Sequence, residues 1–176
     1  MKLKAKIMDE QAVKRALARI SYEIVEHCKS AEDLLLVGIK TRGAPLARAI
    51  GRNIAEIAGA APPTLELDIK GFRDDAEFCN GADCGLEKGA AFGKDIVLVD
   101  DVLFTGRTAR AAIEAVLFSG RARSIRLAVL VDRGHRELPI KADFVGKNVP
   151  TSRREEIVVR ISSADGETGV YIYERD

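Results

Sequence analysis

Cysteine, proline and histidine are all scarce in this chain of 176 residues, and the first two shortages exclude whole classes of protein. The three cysteines, Cys28, Cys79 and Cys84, are odd in number, and four residues separate the last two. That spacing suits neither a disulfide framework, a redox Cys-x-x-Cys nor a zinc pair, so reduced thiols are expected. Five prolines and no low-complexity run, with 47% hydrophobic and 31% charged residues, point to one compact domain over residues 1–176. At this size folding removes roughly two thirds or more of the surface from water, so neither a disulfide nor a structural metal is needed. No window approaches the roughly 18 apolar residues of a membrane span. No apolar run follows the lysines of MKLKAKIMDEQ, so no signal peptide is expected and the location is read as cytoplasmic, without a membrane partner.

Net charge is also small, +1, but it is unevenly spread. Residues 62–101 carry ten acids against four bases, whereas residues 121–154 carry nine bases against three acids. The acidic stretch suits metal-bound polyphosphate chemistry and the basic one suits anions.

From Asp9, a good N-cap, the positions Val13, Leu17, Ile20, Ile24 and Cys28 recur at three- and four-residue spacing and predict an amphipathic helix. LLLVGI at 34–39 has no polar alternation and reads as a strand buried on both faces, which implies a parallel sheet. Pro45 fits the first position of a second helix running to Gly59, followed by a short strand over 65–69. Residues 70–94 hold five glycines, many acids and no period, so they read as a mobile lid or as a solvated connector. A strand over 96–99, a helix over 107–118 closed by Gly120 and a strand over 125–131 form a βαβ unit, and shorter strands over 157–161 and 170–173 finish the chain.

The densest chemistry lies in VLVDDVLFTGRTA, that is Val97, Leu98, Val99, Asp100, Asp101, Val102, Leu103, Phe104, Thr105, Gly106, Arg107, Thr108 and Ala109. A buried strand leads into two acids and then a glycine turn opening a helix. Ligands of open α/β sheets bind at the carboxyl ends of strands. Gly106 permits a left-handed turn and close backbone approach, and the free N–H groups of 105–108 favour a phosphate. The hydroxyls of Thr105 and Thr108 can donate to the same phosphate, while Arg107 either adds charge or faces solvent. Asp100 and Asp101 cannot serve a phosphate directly but suit vicinal hydroxyls and, through water, Mg²⁺. Together these describe a ribose 5-phosphate site. The glycine and lysine spacing of a Walker A loop is absent, as is the dinucleotide fingerprint. The bland alternative, a capped strand beside an ordinary helix start, needs only one capping group rather than two acids, a glycine and two hydroxyls in order.

This segment resembles the motif by which type I phosphoribosyltransferases bind 5-phosphoribosyl-1-pyrophosphate (PRPP). The resemblance implies a mainly parallel sheet flanked by helices, with a small hood over the site. GIKTRGAPLA, FRDD, DRGHRELPI and ADFVGKNVPTS, with the start MDEQAVKRAL, extend it to the PyrR family, regulators of pyrimidine operons that are also uracil phosphoribosyltransferases. By this resemblance Asp100 and Asp101 hold the ribose hydroxyls, and Lys40, Thr41, Arg42 and Gly43 form the pyrophosphate loop, a position where the family often has a non-proline cis peptide. Arg73, with Asp100 and Asp101, counts as catalytic, since Lys70, Arg73, Asp74 and Asp75 fall in the family's mobile catalytic loop. The reaction is displacement of pyrophosphate by uracil, with Mg²⁺ as cofactor and UMP as product; no strong general base is required, which suits a chain with only His27 and His135.

Asp132 and Arg133 resemble base-reading hood residues, and Ile157 falls where uracil is contacted; apart from the resemblance, Arg133 is equally well a solvated turn arginine. The family binds leader mRNA of pyrimidine genes when UMP is present, and Arg15, Arg19, His135, Arg136, Lys141 and Lys147 match its basic RNA face, with Thr151 nearby. Ala18 and Tyr22 depart from the hydroxyl residue and histidine expected on the first helix, and Tyr22 can stack on a base. Family members assemble as dimers or larger homo-oligomers. The alternative is a phosphoribosyltransferase for purines or another base with no RNA-binding role, because the PRPP segment does not choose the base.

Overall fold

The computed structural model describes residues 1–28, 32–74 and 84–175. Five strands form a fully parallel sheet in the order β3-β2-β4-β5-β6: β2 (Leu34–Ile39), β3 (Thr64–Leu67), β4 (Asp95–Leu103), β5 (Ser124–Asp132) and β6 (Phe144–Asn148). β1 (Lys2–Met8), β7 (Glu155–Arg160) and β8 (Gly169–Glu174) form a separate antiparallel sheet in the order β1-β8-β7, which makes the hood. The expected class, a parallel α/β sheet with a small hood, is the one observed.

Strand alternation sorts the core into two halves. Leu34, Leu36, Val97, Val99, Ala128 and Leu130 pack on one face under α1 (Glu10–His27) and α2 (Gly43–Ala58). Leu35, Val37, Ile96, Leu98, Leu127 and Val129 face the other way, onto α3 (Arg107–Ser119). Every residue of β2 is buried, because helices cover both faces of a parallel sheet. Asp9 caps α1 as expected, accepting a hydrogen bond from the Ala12 amide at 2.7 Å.

Several boundaries differ from the sequence reading. α2 starts at Gly43, so Pro45 is its third residue, still within the first turn, where the missing N–H costs no intrahelical bond. β3 ends at Leu67, because the chain turns there: the Asp68 amide donates to Cys84 O and the Asp68 carboxylate takes the Lys70 amide. β4 does not stop at Val99 but carries both acids to Leu103. β1 and β6 were not anticipated, nor was the short helix α4 (Ser162–Asp165) of the hood.

Among the described residues, the expected lid is not free of the core: its start packs Phe72 against the α3 side of the sheet. Lys70–Phe72 forms a single 3-10 turn. Residues 84–94 are packed down, with Cys84, Leu86 and Ala91 buried against the α3 side of the sheet and the Gly93 amide donating to Arg121 O at 2.9 Å. Residues 75–83, which include Asp75 and Cys79, lie outside the described residues; Cys28 and Cys84 are free thiols.

Candidate active site

Four neighbouring strands deliver polar residues to one edge of the parallel sheet. β2 leads to Lys40, Thr41 and Arg42, β3 to Asp68, β4 carries Asp100 and Asp101, and β5 leads to Asp132 and Arg133. A cleft of about 400 Å³ collects Lys40, Thr41, Arg42, Asp68, Lys70, Arg73, Asp100, Asp101 and Thr108 on its walls. Residues from positions 40 to 108 therefore meet where ligands of such sheets bind.

The acid pair is oriented by its own backbone. Asp100 accepts from the Asp101 amide at 2.9 Å, and Asp101 accepts from the Val102 amide at 2.8 Å. Burial, and then the charge of Asp101, pushes the Asp100 carboxyl well above its ordinary value. Burial also raises Asp101, but the Val102 amide, Asp100 and the Arg42 charge pull it back. Two adjacent half-buried carboxyls that resist joint ionisation gain from hydroxyl donors or a cation. Among the described residues no group of three His, Cys, Asp or Glu side chains is arranged to hold a metal ion, so a cation here would need oxygens from a ligand or water as well.

At the start of α3 the backbone is built for an anion. Gly106 precedes the helix with φ 93°, a left-handed conformation that a side chain would strain, and among the described residues only Thr105 Oγ1 accepts from a first-turn amide, that of Arg107 at 3.4 Å. The first-turn amides are thus left to the turn formed by Thr105, Gly106 and Thr108. A small cavity of about 110 Å³ touches Asp100, Val102, Leu103, Phe104, Thr105, Gly106, Thr108 and Ala109, placing the first acid and the turn around one space; Val97, Leu98 and Val99 are buried in the sheet behind it.

The loop over 40–43 approaches the same acids from the side. Its Lys40–Thr41 peptide bond is cis. Gly43 is pressed so closely to β4 that an added Cβ would fall 2.2 Å from Val99 O. Lys40 and Thr41 are exposed, and Arg42 pairs with Asp165.

Arg107 is held on both sides, by Asp74 at 2.6 Å and Glu137 at 2.9 Å. Arg110 reaches Asp74 at 2.7 Å and Phe72 O at 2.6 Å. These contacts pin the 70–74 segment to α3 and place Arg73 beside Thr108. Neither the Asp74 contacts nor Arg110 was singled out from sequence; the only signal was the acid run in FRDD.

On the hood side, Arg133 is buried, donates to Thr151 Oγ1 at 3.2 Å and Glu155 O at 2.7 Å, and lies 3.9 Å from the centre of the Phe104 ring. It is therefore no solvated turn arginine. Ile157 is buried on β7 among residues of the α1 and α2 half of the core.

Residues 5–162 match the family model for a phosphoribosyl transferase domain. A protein called Bifunctional protein PyrR from Thermus thermophilus is 55% identical over 179 residues, covering 100% of this chain and 99% of the relative. Those of the same name from Thermoanaerobacter sp. (51% over 181 residues, 99% and 100% covered) and Clostridioides difficile (53% over 176 residues, 97% and 98%) are equally extensive matches. The chain belongs to the PyrR family. Its fold is shared with a hypoxanthine phosphoribosyltransferase from Staphylococcus aureus (TM-score 0.74, 18% identity, 99% and 94% covered) and with one from Trypanosoma cruzi (TM-score 0.72, 13% identity, 99% and 98%).

The basic residues that PyrR resemblance assigns to RNA are only partly displayed together. Arg15 and Arg19 are exposed on α1, and Arg19 donates to Val145 O and Gly146 O at 2.9 and 2.7 Å, fastening α1 to the strand that carries the exposed Lys147. Lys141 is exposed within the β5–β6 connection. His135, at φ 58°, sets its ring edge to Phe104 and contacts Thr151 O. Arg136 turns inward: it pairs with Asp132 and donates to Ile140 O at 2.9 Å and Phe104 O at 2.8 Å. It clamps the end of β4 and Phe104 to the β5–β6 connection rather than projecting outward. No described helix is long and apolar enough to cross a membrane.

Proposed function

We propose that this chain transfers the phosphoribosyl group of PRPP to uracil, yielding UMP and pyrophosphate, and that it also binds leader RNA of pyrimidine genes in response to UMP. The observation that carries the reading is the single cleft shared by Lys40, Thr41, Arg42, Asp100, Asp101 and Thr108. In this reading the 105–108 turn holds the 5-phosphate on backbone amides and hydroxyls, and Asp100 and Asp101 accept from the ribose hydroxyls. Lys40 to Gly43 take the pyrophosphate, and Arg73 adds charge from the side. Attack by uracil N1 on C1 forms the N–C bond as the bond from C1 to pyrophosphate breaks, and the N1 proton leaves to solvent. Positive charge develops on the sugar and negative charge on the leaving group, so cations beside the pyrophosphate and carboxylates beneath the ribose both stabilise that state.

Mg²⁺ fits this donor set, since it binds through one or two carboxylates plus phosphate oxygens and water. It would supply charge neutralisation on the pyrophosphate, held from the protein side by Asp100 and Asp101 through water. On the base side Arg133 supports Phe104, and backbone groups near Ile157 complete the uracil pocket. The relatives' printed description as bifunctional supports pairing the transferase with a second activity. For the RNA contact, Arg15, Arg19, His135, Lys141 and Lys147 form the exposed set, while Arg136 turns inward. We place the protein in the cytoplasm as a homo-oligomer.

The test is a panel of uracil, hypoxanthine, guanine, adenine and orotate with PRPP and Mg²⁺. Turnover with uracil supports the reading; turnover confined to a purine, or to no base, sinks it. For the regulator, Lys147→Gln should weaken salt-dependent, UMP-enhanced binding to a pyrimidine leader hairpin, and equal affinity for unrelated RNA would contradict it.

A further inference from the structure

One ion pair joins the 40–43 loop to the hood, across 123 positions of sequence. Arg42 Nη2 lies 3.0 Å from Asp165 Oδ1, and Nε lies 3.3 Å from Oδ2. The carboxylate is itself fixed, since Oδ2 also accepts from the Ile161 amide at 2.9 Å. The turn that carries it is closed by Ser162 N donating to Thr168 Oγ1 at 3.1 Å and Gly166 N donating to Ser162 O at 3.1 Å. Arg42 meanwhile lines the cleft above Asp101, and its charge reaches that carboxyl.

Resting on the transferase reading above, we propose that Asp165 is a positioning residue for Arg42. It holds the guanidinium by its Nε and Nη2 edge and leaves the remaining N–H groups for pyrophosphate. A guanidinium has five N–H donors in a rigid fork. Asp165 engages two, so three remain to face the cleft. Among the described residues Arg42 has no other ion-pair partner that could fix its long side chain. Without Asp165 the ordering of that chain would fall on the binding step instead. Among the described residues the Asp165 carboxylate contacts neither the 105–108 turn nor Arg133, so it acts on the site through Arg42.

Two effects of losing Asp165 have opposite sign, which makes the proposal decidable. Removing a negative charge beside a polyanion site should by Coulomb attraction alone tighten pyrophosphate binding. Losing the positioned guanidinium should weaken it, by about tenfold if one long side chain must be reordered. The experiment is calorimetric titration of pyrophosphate with Mg²⁺, and separately of UMP, into wild type, Asp165→Asn, Arg42→Gln and the double variant. The expected result is pyrophosphate binding about tenfold weaker in Asp165→Asn with UMP affinity within about twofold, and no further loss when Asp165→Asn is added to Arg42→Gln. Unchanged or tighter pyrophosphate binding overturns the proposal. So does UMP affinity that falls in step, which would mark general damage to the hood, or additive losses in the double variant. Wild type that binds neither pyrophosphate nor PRPP would instead remove the transferase reading itself.

Discussion

Replacing Arg136 by alanine should destabilise the whole protein and not only a contact with RNA. The guanidinium pairs with Asp132 and donates to Ile140 O at 2.9 Å and Phe104 O at 2.8 Å, with side chains only 23% and 15% exposed for Arg136 and Asp132. Truncation leaves Asp132 with the Gly134 amide as its remaining partner among the described residues, at 2.9 Å, and frees the half-buried Ile140 O and the exposed Phe104 O. A hydrogen bond involving a charged group is worth about 1.5–3 kcal/mol, and stranding a buried partner costs more than the bond itself. Allowing for partial water access, the loss should be about 3 kcal/mol. For a chain of this size that lowers Tm by about 6–12 °C. Lys147→Gln, at an exposed position, should change stability by less than about 0.5 kcal/mol. Thermal melts of the two variants at neutral pH separate the roles. If Arg136→Ala melts with wild type while losing RNA affinity, its inward contacts are not what holds the turn, and the reasoning fails.

Three further outcomes follow from the geometry. Asp100→Asn should abolish turnover yet raise the Tm of the ligand-free protein at neutral pH. Burial raises the native carboxyl above its ordinary value near 3.8, so its ionisation costs folding energy as pH rises through the native value, and the gain should fade below about pH 4. Gly43→Ala should force the 40–43 loop off β4, because its Cβ would meet Val99 O at 2.2 Å; weaker PRPP binding with a lowered Tm is expected, and wild-type values for both would contradict the close approach. Asp95, drawn down to about 2 mainly by its hydrogen bond from Arg123 and then Ser124, contributes stability present above about pH 4 and lost as pH falls towards 2. In Asp95→Asn the acid limb of an unfolding titration should be shallower across that interval, and an unchanged limb would refute the assignment.

Some of this was legible before any coordinates. LLLVGI announced a strand covered on both faces, and the acid pair with the Thr-Gly turn announced residues that line one cleft wall, because local spacing alone sets both. β1 was missed although KLKAKIM alternates lysine with apolar residues; most of the strand is exposed and its partner β8 lies at the far end of the chain. β6, five residues at the sheet edge, has too short an apolar run to stand out. Contacts between distant segments left no local trace: Asp165 with Arg42, Asp74 with Arg107 and Arg110, and Phe104 over Arg133 depend on which strand ends the topology brings together. Arg136 shows the converse limit, since a basic run in sequence does not reveal which cations turn inward.

The most direct test of the account is the rate of UMP formation from PRPP and isotopically labelled uracil, in Mg²⁺, by wild type and by Asp101→Asn. Robust labelled UMP from wild type, reduced by on the order of a hundredfold or more when one ribose-facing carboxylate is lost, is the predicted result. Absence of UMP from folded wild type, or an Asp101→Asn rate equal to it, would contradict the assignment of this cleft.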